Sequence, residues 1–416
     1  MSNAITPVDA VPGAGAATRH ALDTFLPRPT PQRHGIALCL SGGGYRAALF
    51  HLGALRRLHE LGVLGQVDEI TSVSGGSITS ALYAAALVRA EPDGIRDFDR
   101  EVAGPVRAFT KRNIRTPAIL ERLLPWNWLR SDTGAHALAG AYRAALTAFP
   151  LAGLPERPDF VFCATDMVLG VAWTFGRQHI GDYLAGYLSP RARDDVAEAV
   201  AASSCFPPVF NPLQMHLDAR AVTGGRYEGA DRDPLVRAIR LTDGGAYDNL
   251  GLEPAWKTRR VVLVSDGGGP FELSADQGLF WRIGRYSDLL YRQVGALRRR
   301  WLISSFVVGA LQGTYWGVAG CATNYDARAP GYTADLSNDL IARIRTDLDA
   351  FRDPEAAVLE NHGYSLADAA LSRHVPALIA TPEPFRTPYP DWDWAHESAV
   401  RTALATSGKR TLFGRW

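Results

Sequence analysis

A serine on a short turn is the first feature of this sequence able to do chemistry. In Ser72-Val73-Ser74-Gly75-Gly76 it stands between an apolar strand-like run and a small-residue helix. A hydroxyl lifted out of a sheet on such a turn is a nucleophile, and small neighbours are needed because strand and helix pass close together. Ser72 occupies the place where the usual G-x-S-x-G pattern has glycine. A second stretch, "SGGGYRA" (41–47), admits two readings. Gly42, Gly44 and Ala47 fit the G-x-G-x-x-A of a dinucleotide turn, which wants an acid at the end of the following strand. Here Asp68 and Glu69 begin that strand and "SVSGGS" ends it. The other reading gives the backbone N–H groups of Gly42, Gly43 and Gly44, at a helix N-terminus, to an oxyanion hole, with Arg46 adding charge or pinning the loop. Loss of one such donor would raise a barrier by about 3–4 kcal/mol.

The serine needs a proton acceptor. His362, His374 and His396 follow in an order compatible with a Ser-Asp-His triad, but none sits in an informative context, and "NHGYS" around His362 reads as a helix end followed by a new cap. Asp243, in "LTDGGAYDNLGLEP", follows a short apolar run and precedes Gly244 and Gly245, so a carboxylate is presented at a strand end. To serve as a base it must be desolvated and must touch the serine. Asp266, in "SDGGG", is a rival on the same grounds, and a D-G pair is also a common turn or cap. Neither HExxH nor a calcium loop occurs, so no metal and no cofactor are expected.

These residues require a scaffold of strand ends. "IALCL" (36–40), "EITSV" (69–73), "FVFCAT" (160–165) and "RVVLVSD" (260–266) read as strands, with helices over 46–61 and 75–89. The alternation predicts an α/β fold around a largely parallel sheet. In the first helix Ala47, Phe50, Ala54, Leu58 and Leu61 form the core face, Arg56, Arg57, His59 and Glu60 are expected to face away, and Gly62 is the stop. Residues 92–158, rich in Pro, Trp and Arg, are expected as an insertion or lid. Residues 301–321 carry no charge but are too polar for a spanning helix and are expected as buried strands. The region "IARIRTDLDAFRDPEAAVLENHGYSLADAAL" reads as short helices. The expected organisation is an N-terminal arm (1–33), a catalytic core (34–270) and a C-terminal extension (271–416) packed on it.

The composition excludes some function classes. With 416 residues, 47% hydrophobic, and a net charge of +1, the chain can bury a large core and has no global field to select nucleic acid. Cys39, Cys163, Cys205 and Cys321 lack zinc-site spacing and suit a reducing, cytoplasmic setting. The first thirty residues do not read as a signal peptide. Between Trp281 and Trp301 six arginines accompany one acid. An amphipathic helix covering the sheet is the preferred reading, and a peripheral membrane contact through Arg298, Arg299 and Arg300 the alternative.

"SGGGYRA", "SVSGGS" and "DGGAYDN", in this order, resemble the patatin-like phospholipase family in its bacterial branch. The resemblance covers about 34–254. It implies a three-layer α/β/α sandwich around a mostly parallel sheet and a Ser-Asp dyad without histidine. Ser74 would be the nucleophile, Asp243 its partner, Gly42 to Gly44 the oxyanion hole, and Arg46 the residue at the family's arginine position. Ser72, Gly75 and Gly76 would support the elbow, and Gly244 and Gly245 the base motif. Asn249 sits where relatives carry asparagine, which favours Asp243 over Asp266. Residues 199–212 are similar to the family's Ala/Ser-rich helix and proline turn that shape the acyl pocket, and 163–170 to a strand whose aspartate is structural. The implied substrate is a phospholipid or other lipid ester, cleaved through an acyl-enzyme. A triad carboxylesterase of α/β-hydrolase type, a nucleotide-binding module and a catalytically silent scaffold stand as alternatives.

Overall fold

A run of apolar residues with no polar alternation makes a strand buried on both faces, and Ile36–Leu40 (β1) is buried at every position. The computed structural model describes residues 32–415 except 125–126, 128–132, 147–148, 208, 272 and 412; of the expected arm at 1–33, residues 1–31 lie outside the described residues. After β1 come β2 (Glu69–Ser72), β3 (Asp159–Asp166), β4 (Val171–Phe175), β5 (Ile180–Asp182), β6 (Gly186–Leu188), β7 (Leu213–Gln214), β8 (Thr223–Gly224), β9 (Arg240–Asp243), β10 (Val261–Asp266) and β11 (Gln312–Gly317). They form one 11-stranded sheet in the order β11-β10-β1-β2-β3-β4-β5-β6-β8, with β9 pairing both β3 and β7. From β11 to β3 all neighbours are parallel, and from β3 onward they are antiparallel.

Alternate residues of β1 point to opposite layers, as a period of two requires. Ile36, Leu38 and Leu40 belong to the large core under helix α1 (Gly44–Glu60). Ala37 and Cys39 join Val262, Val264, Leu250, Leu252, Trp256 and Leu302 in a separate cluster on the other face. The result is a three-layer α/β/α sandwich. Helices α2 (Gly75–Ala90), α3 (Gly104–Thr110), α4 (Arg115–Leu123), α5 (Thr133–Leu146) and α6 (Val196–Ser204) follow α1; then come α7 (Arg232–Arg237), α8 (Gly245–Asp248), α9 (Leu279–Val307), α10 (Ala334–Leu336), α11 (Asp353–His374) and α12 (Glu397–Leu404). The expected insertion at 92–158 is built from α3, α4 and α5, with α5 packed on α6.

Three expectations are corrected. Arg56 and Arg57 do not face solvent: α11 covers α1 and its Asp368 pairs with Arg57 (2.8 Å), while Arg56 pairs with Asp99 (2.5 Å), and both arginines are buried. The expected short helices around His362 are one helix, α11, of 22 residues. Its Gly363 is no stop, because a Cβ there would overlap the carbonyl of Phe50, just as one on Gly53 of α1 would overlap that of Glu360. The two glycines let the helix backbones touch. Finally, 301–307 ends α9 as helix, and only Gln312–Gly317 within 301–321 is a strand. No helix among the described residues is long and apolar enough to cross a membrane.

Candidate active site

Ser74 follows the end of β2 and caps α2 with φ 50° and ψ −115°. It is the one non-glycine residue with positive φ among the described residues. That conformation costs a non-glycine residue of order 1–3 kcal/mol, and the surroundings hold it. The Ser74 amide donates to Ser203 Oγ (3.0 Å), whose hydroxyl donates in turn to the Cys163 carbonyl (2.7 Å) and also meets Ser77 Oγ (2.9 Å). Ser72 Oγ accepts from Ser77 Oγ (3.1 Å), so the serine standing in the usual glycine position joins this buried polar cluster. Gly75 and Gly76 have no room for a side chain, since a Cβ would overlap the Gly44 and Leu40 carbonyls respectively.

Asp243 arrives from the opposite direction. β2 pairs with β3 through Phe162, β9 pairs with β3 from Ala164 to Asp166, and β4 holds the other edge of β3 over the same residues. Hence β2 and β9 share one edge of β3 and run head to head, which brings Asp243 to the C-terminal end of β2. The side chain is buried. Gly245 N–H (2.8 Å) and Tyr291 Oη (3.1 Å) both donate to Oδ1, while Oδ2 has no hydrogen-bond partner. Burial pushes the carboxyl up to about 6, and the Gly245 amide, the Ser74 hydroxyl and Tyr291 restrain the rise. Ser74 thus lies near enough to lower the acid, although Oδ2 has no hydrogen-bond partner. Gly244 must be small because a Cβ would overlap the Cys163 carbonyl.

The glycine loop lies beside the elbow: a Cβ on Gly42 would come 3.2 Å from that of Ser74. Gly43 (φ 147°) and Gly44 (φ 59°) occupy backbone conformations that favour glycine. The three amides are not equivalent. Gly42 N–H is spent on the Asn249 carbonyl (3.0 Å), whereas no acceptor is seen for Gly43 or Gly44 N–H among the described residues. The Arg46 side chain runs away from the loop to the carbonyls of Gly267 (3.1 Å), Ala342 (3.2 Å) and Ile344 (2.7 Å), and so pins it.

The match to a family model decides what these motifs belong to. The model of patatin-like phospholipase matches residues 38–256, more than half of the chain and including all three motifs. The chain belongs to the patatin-like phospholipase family. Among solved structures, human GIVD cytosolic phospholipase A2 is 14% identical, with a TM-score of 0.39 over 57% of this chain and 46% of that one. VipD from Legionella pneumophila is 15% identical, with a TM-score of 0.35 over 83% of this chain and 67% of the other. The chain thus spans about half the length of the human enzyme. No curated protein matches.

Other candidates are engaged elsewhere in this patatin-like chain. Asp266 pairs with Arg299 (3.0 Å) and accepts from Tyr315 Oη (2.7 Å) and Gly268 N–H (2.8 Å). His362 bonds the Val318 carbonyl (2.9 Å), His374 the Thr314 hydroxyl (2.8 Å) and His396 the Asp393 carboxylate (3.0 Å). Burial holds His362 down at about 4. Arg298 stacks on Tyr247 and pairs with Glu253 (3.2 Å); Arg299 pairs with Asp266 (3.0 Å) while staying exposed, as does Arg300. No group of three or more His, Cys, Asp or Glu side chains among the described residues is arranged to hold a metal. All four cysteines are free and buried.

Three residues escaped the motifs. Ser203 carries the elbow amide. His51, one helical turn beyond Ala47, bonds Ser41 O (2.9 Å) and Ser265 Oγ (2.7 Å) and braces the loop from below. Tyr291, from α9, lies outside the region matched to the family and reaches both Asp243 and Asn249. Only the Ala/Ser-rich stretch around Ser203 held a signal for any of them.

Proposed function

We propose that this chain is a serine acyl hydrolase that cleaves fatty acyl esters from phospholipids or related lipids through a Ser74–Asp243 dyad. The observation that carries the reading is the buried carboxylate of Asp243, with one oxygen unpartnered, beside a serine held on a strained elbow. Asp243 takes the Ser74 proton as the hydroxyl oxygen attacks the ester carbonyl. The tetrahedral oxyanion is held by the Gly43 and Gly44 amides, with Gly42 and Arg46 shaping the loop. Protonated Asp243 then gives the proton to the leaving alkoxide, and water repeats the cycle on the acyl-enzyme. An acid of pKa near 6 is matched to both steps close to neutral pH.

The substrate class rests on the family. A peripheral membrane contact is part of the same reading. Leu279, Tyr286, Leu290 and Leu297, spaced by seven, four and seven residues, form one exposed stripe on α9, the helix whose Tyr291 reaches the dyad. An apolar helix face with the exposed Arg299 and Arg300 nearby suits a lipid surface, whereas Arg298 is engaged by Glu253 and Tyr247. Free buried cysteines suit work in a reducing cytoplasm.

The test is incubation with mixed phospholipid vesicles and mass analysis of the products. Released fatty acid and lysophospholipid from the unmodified chain, lost in Ser74→Ala and in Asp243→Asn, support the reading. Turnover retained in either variant removes it.

A further inference from the structure

We infer that Tyr291 is a positioning residue for the base: its hydroxyl orients the Asp243 carboxylate so that Oδ2 is the oxygen presented to Ser74. The inference rests on the dyad proposed above and adds a component from outside the family domain.

A carboxylate on a turn has rotational freedom about its last bond, and a base that rotates presents the wrong oxygen part of the time. Here Oδ1 takes two donors from different elements, the Gly245 amide of α8 at 2.8 Å and the Tyr291 hydroxyl of α9 at 3.1 Å. With Oδ1 held from two directions, the other oxygen is left with no partner in a buried site, which is the state required of a proton acceptor. The phenol is itself fixed. Its ring packs edge-on against Phe206 with centroids 5.4 Å apart, and its oxygen also lies 3.1 Å from Asn249 Oδ1. It fits only because residue 245 is glycine, since a Cβ there would overlap Tyr291 Oη. The single phenolic proton faces two acceptors. While Asp243 is charged, the carboxylate is the stronger. Once Asp243 holds the Ser74 proton, Asn249 becomes an equal partner, and the phenol need not move its ring to stay bonded. Burial holds the Tyr291 phenol well above its ordinary range, so it acts as a donor throughout.

The titratable groups facing Asp243 are Tyr142 from α5, Cys205 beyond α6 and Tyr291 from α9, with the Ser74 hydroxyl from the turn before α2. Arg292 and Asp288 act on Tyr291 itself. Of the side chains, Ser74 and Tyr291 alone are seen to lower Asp243 by hydrogen bonding, so removal of the phenolic oxygen has a defined electrostatic signature.

The experiment is the pH profile of kcat/KM for a soluble short-chain p-nitrophenyl ester, measured on the full chain and on Tyr291→Phe. The inference predicts that the acid limb of Tyr291→Phe moves up by about half to one pH unit, as loss of a hydrogen bond to the charged form requires. Below the limb the variant loses several-fold relative to the unmodified chain, and the gap narrows towards pH 8–9. A profile that superimposes on the unmodified one, or that falls by the same factor at every pH, overturns the inference while leaving the dyad intact. If Tyr291→Phe does not fold, Gly245→Ala, which displaces the phenol, must give the same shift, and its failure to do so also overturns the inference. An unmodified chain without turnover at any pH overturns the dyad reading first, and the inference with it.

Discussion

Ser74 and Asp243 stand at one edge of β3 because β2 and β9 reach it from opposite ends. Ser74 is carried up that edge by a parallel strand and Asp243 is brought down it by an antiparallel one. Neither side chain needs a long loop to find the other. The arrangement buries the acid, and burial is what makes an aspartate a base near neutral pH.

A buried charge, such as the one the proposed base requires, lowers stability. Asp243 has a folded pKa of about 6, above its unfolded value near 4, so its contribution is full below pH 4 and is lost as pH rises through 6. Asp243→Asn keeps an acceptor for Gly245 and Tyr291 but removes the charge. At pH 8 it is expected to gain about 1–3 kcal/mol in urea unfolding while losing turnover by about a thousandfold or more. A variant less stable than the unmodified chain at pH 8 would speak against a desolvated acid.

Turnover itself should titrate. The base must be ionised, so kcat/KM is expected to fall below about pH 6 with a single-proton slope. A limb near pH 7 that disappears on replacement of a histidine would instead identify a triad.

Two further buried acids predict the pH dependence of stability away from the site. Burial first, and then the charge of Asp166, push Asp182 up to about 7; Glu360 also rises to about 7 through burial, against the pull of Arg107 and Arg56. Both folded values exceed the unfolded ones, so stability is expected to decline between pH 5 and 8.5. Asp182→Asn should flatten that decline, read as urea midpoints at the two pH values. An unchanged slope would contradict the assignment.

Glycine positions separate packing from propensity. Gly363→Ala forces apart α1 and α11 and is expected to cost about 1–3 kcal/mol. Gly140, exposed on α5 with open space around its Cα, should gain about 0.5–1 kcal/mol on conversion to alanine. Thermal unfolding of the pair checks both signs, and equal shifts would refute the close crossing.

The sequence made the chemical motifs readable because each demands residue types that few other roles demand together. A strand followed by S-x-S-G-G, and another followed by D-G-G, restrict both the turn and the side chain. The strands around them were readable because buried parallel strands are uninterrupted apolar runs. What stayed hidden depends on distant packing. Gly363 looks like a helix stop in one dimension, and only the approach of Phe50 shows why it is in mid-helix. Arg56 and Arg57 look solvent-facing until α11 covers them with acids. Tyr291 is one aromatic among several in an arginine-rich helix, and its role depends on a contact 48 residues away in the chain.

The most direct test of the dyad is covalent. An alkyl fluorophosphonate, which reacts with activated serines, should add once to the chain, and peptide mapping should place the adduct on Ser74. Labelling should vanish in Ser74→Ala, slow by at least about a hundredfold in Asp243→Asn, and proceed normally in Asp266→Asn. An adduct on Ser77 or Ser203, or labelling that survives in Asp243→Asn and fails in Asp266→Asn, would contradict the account.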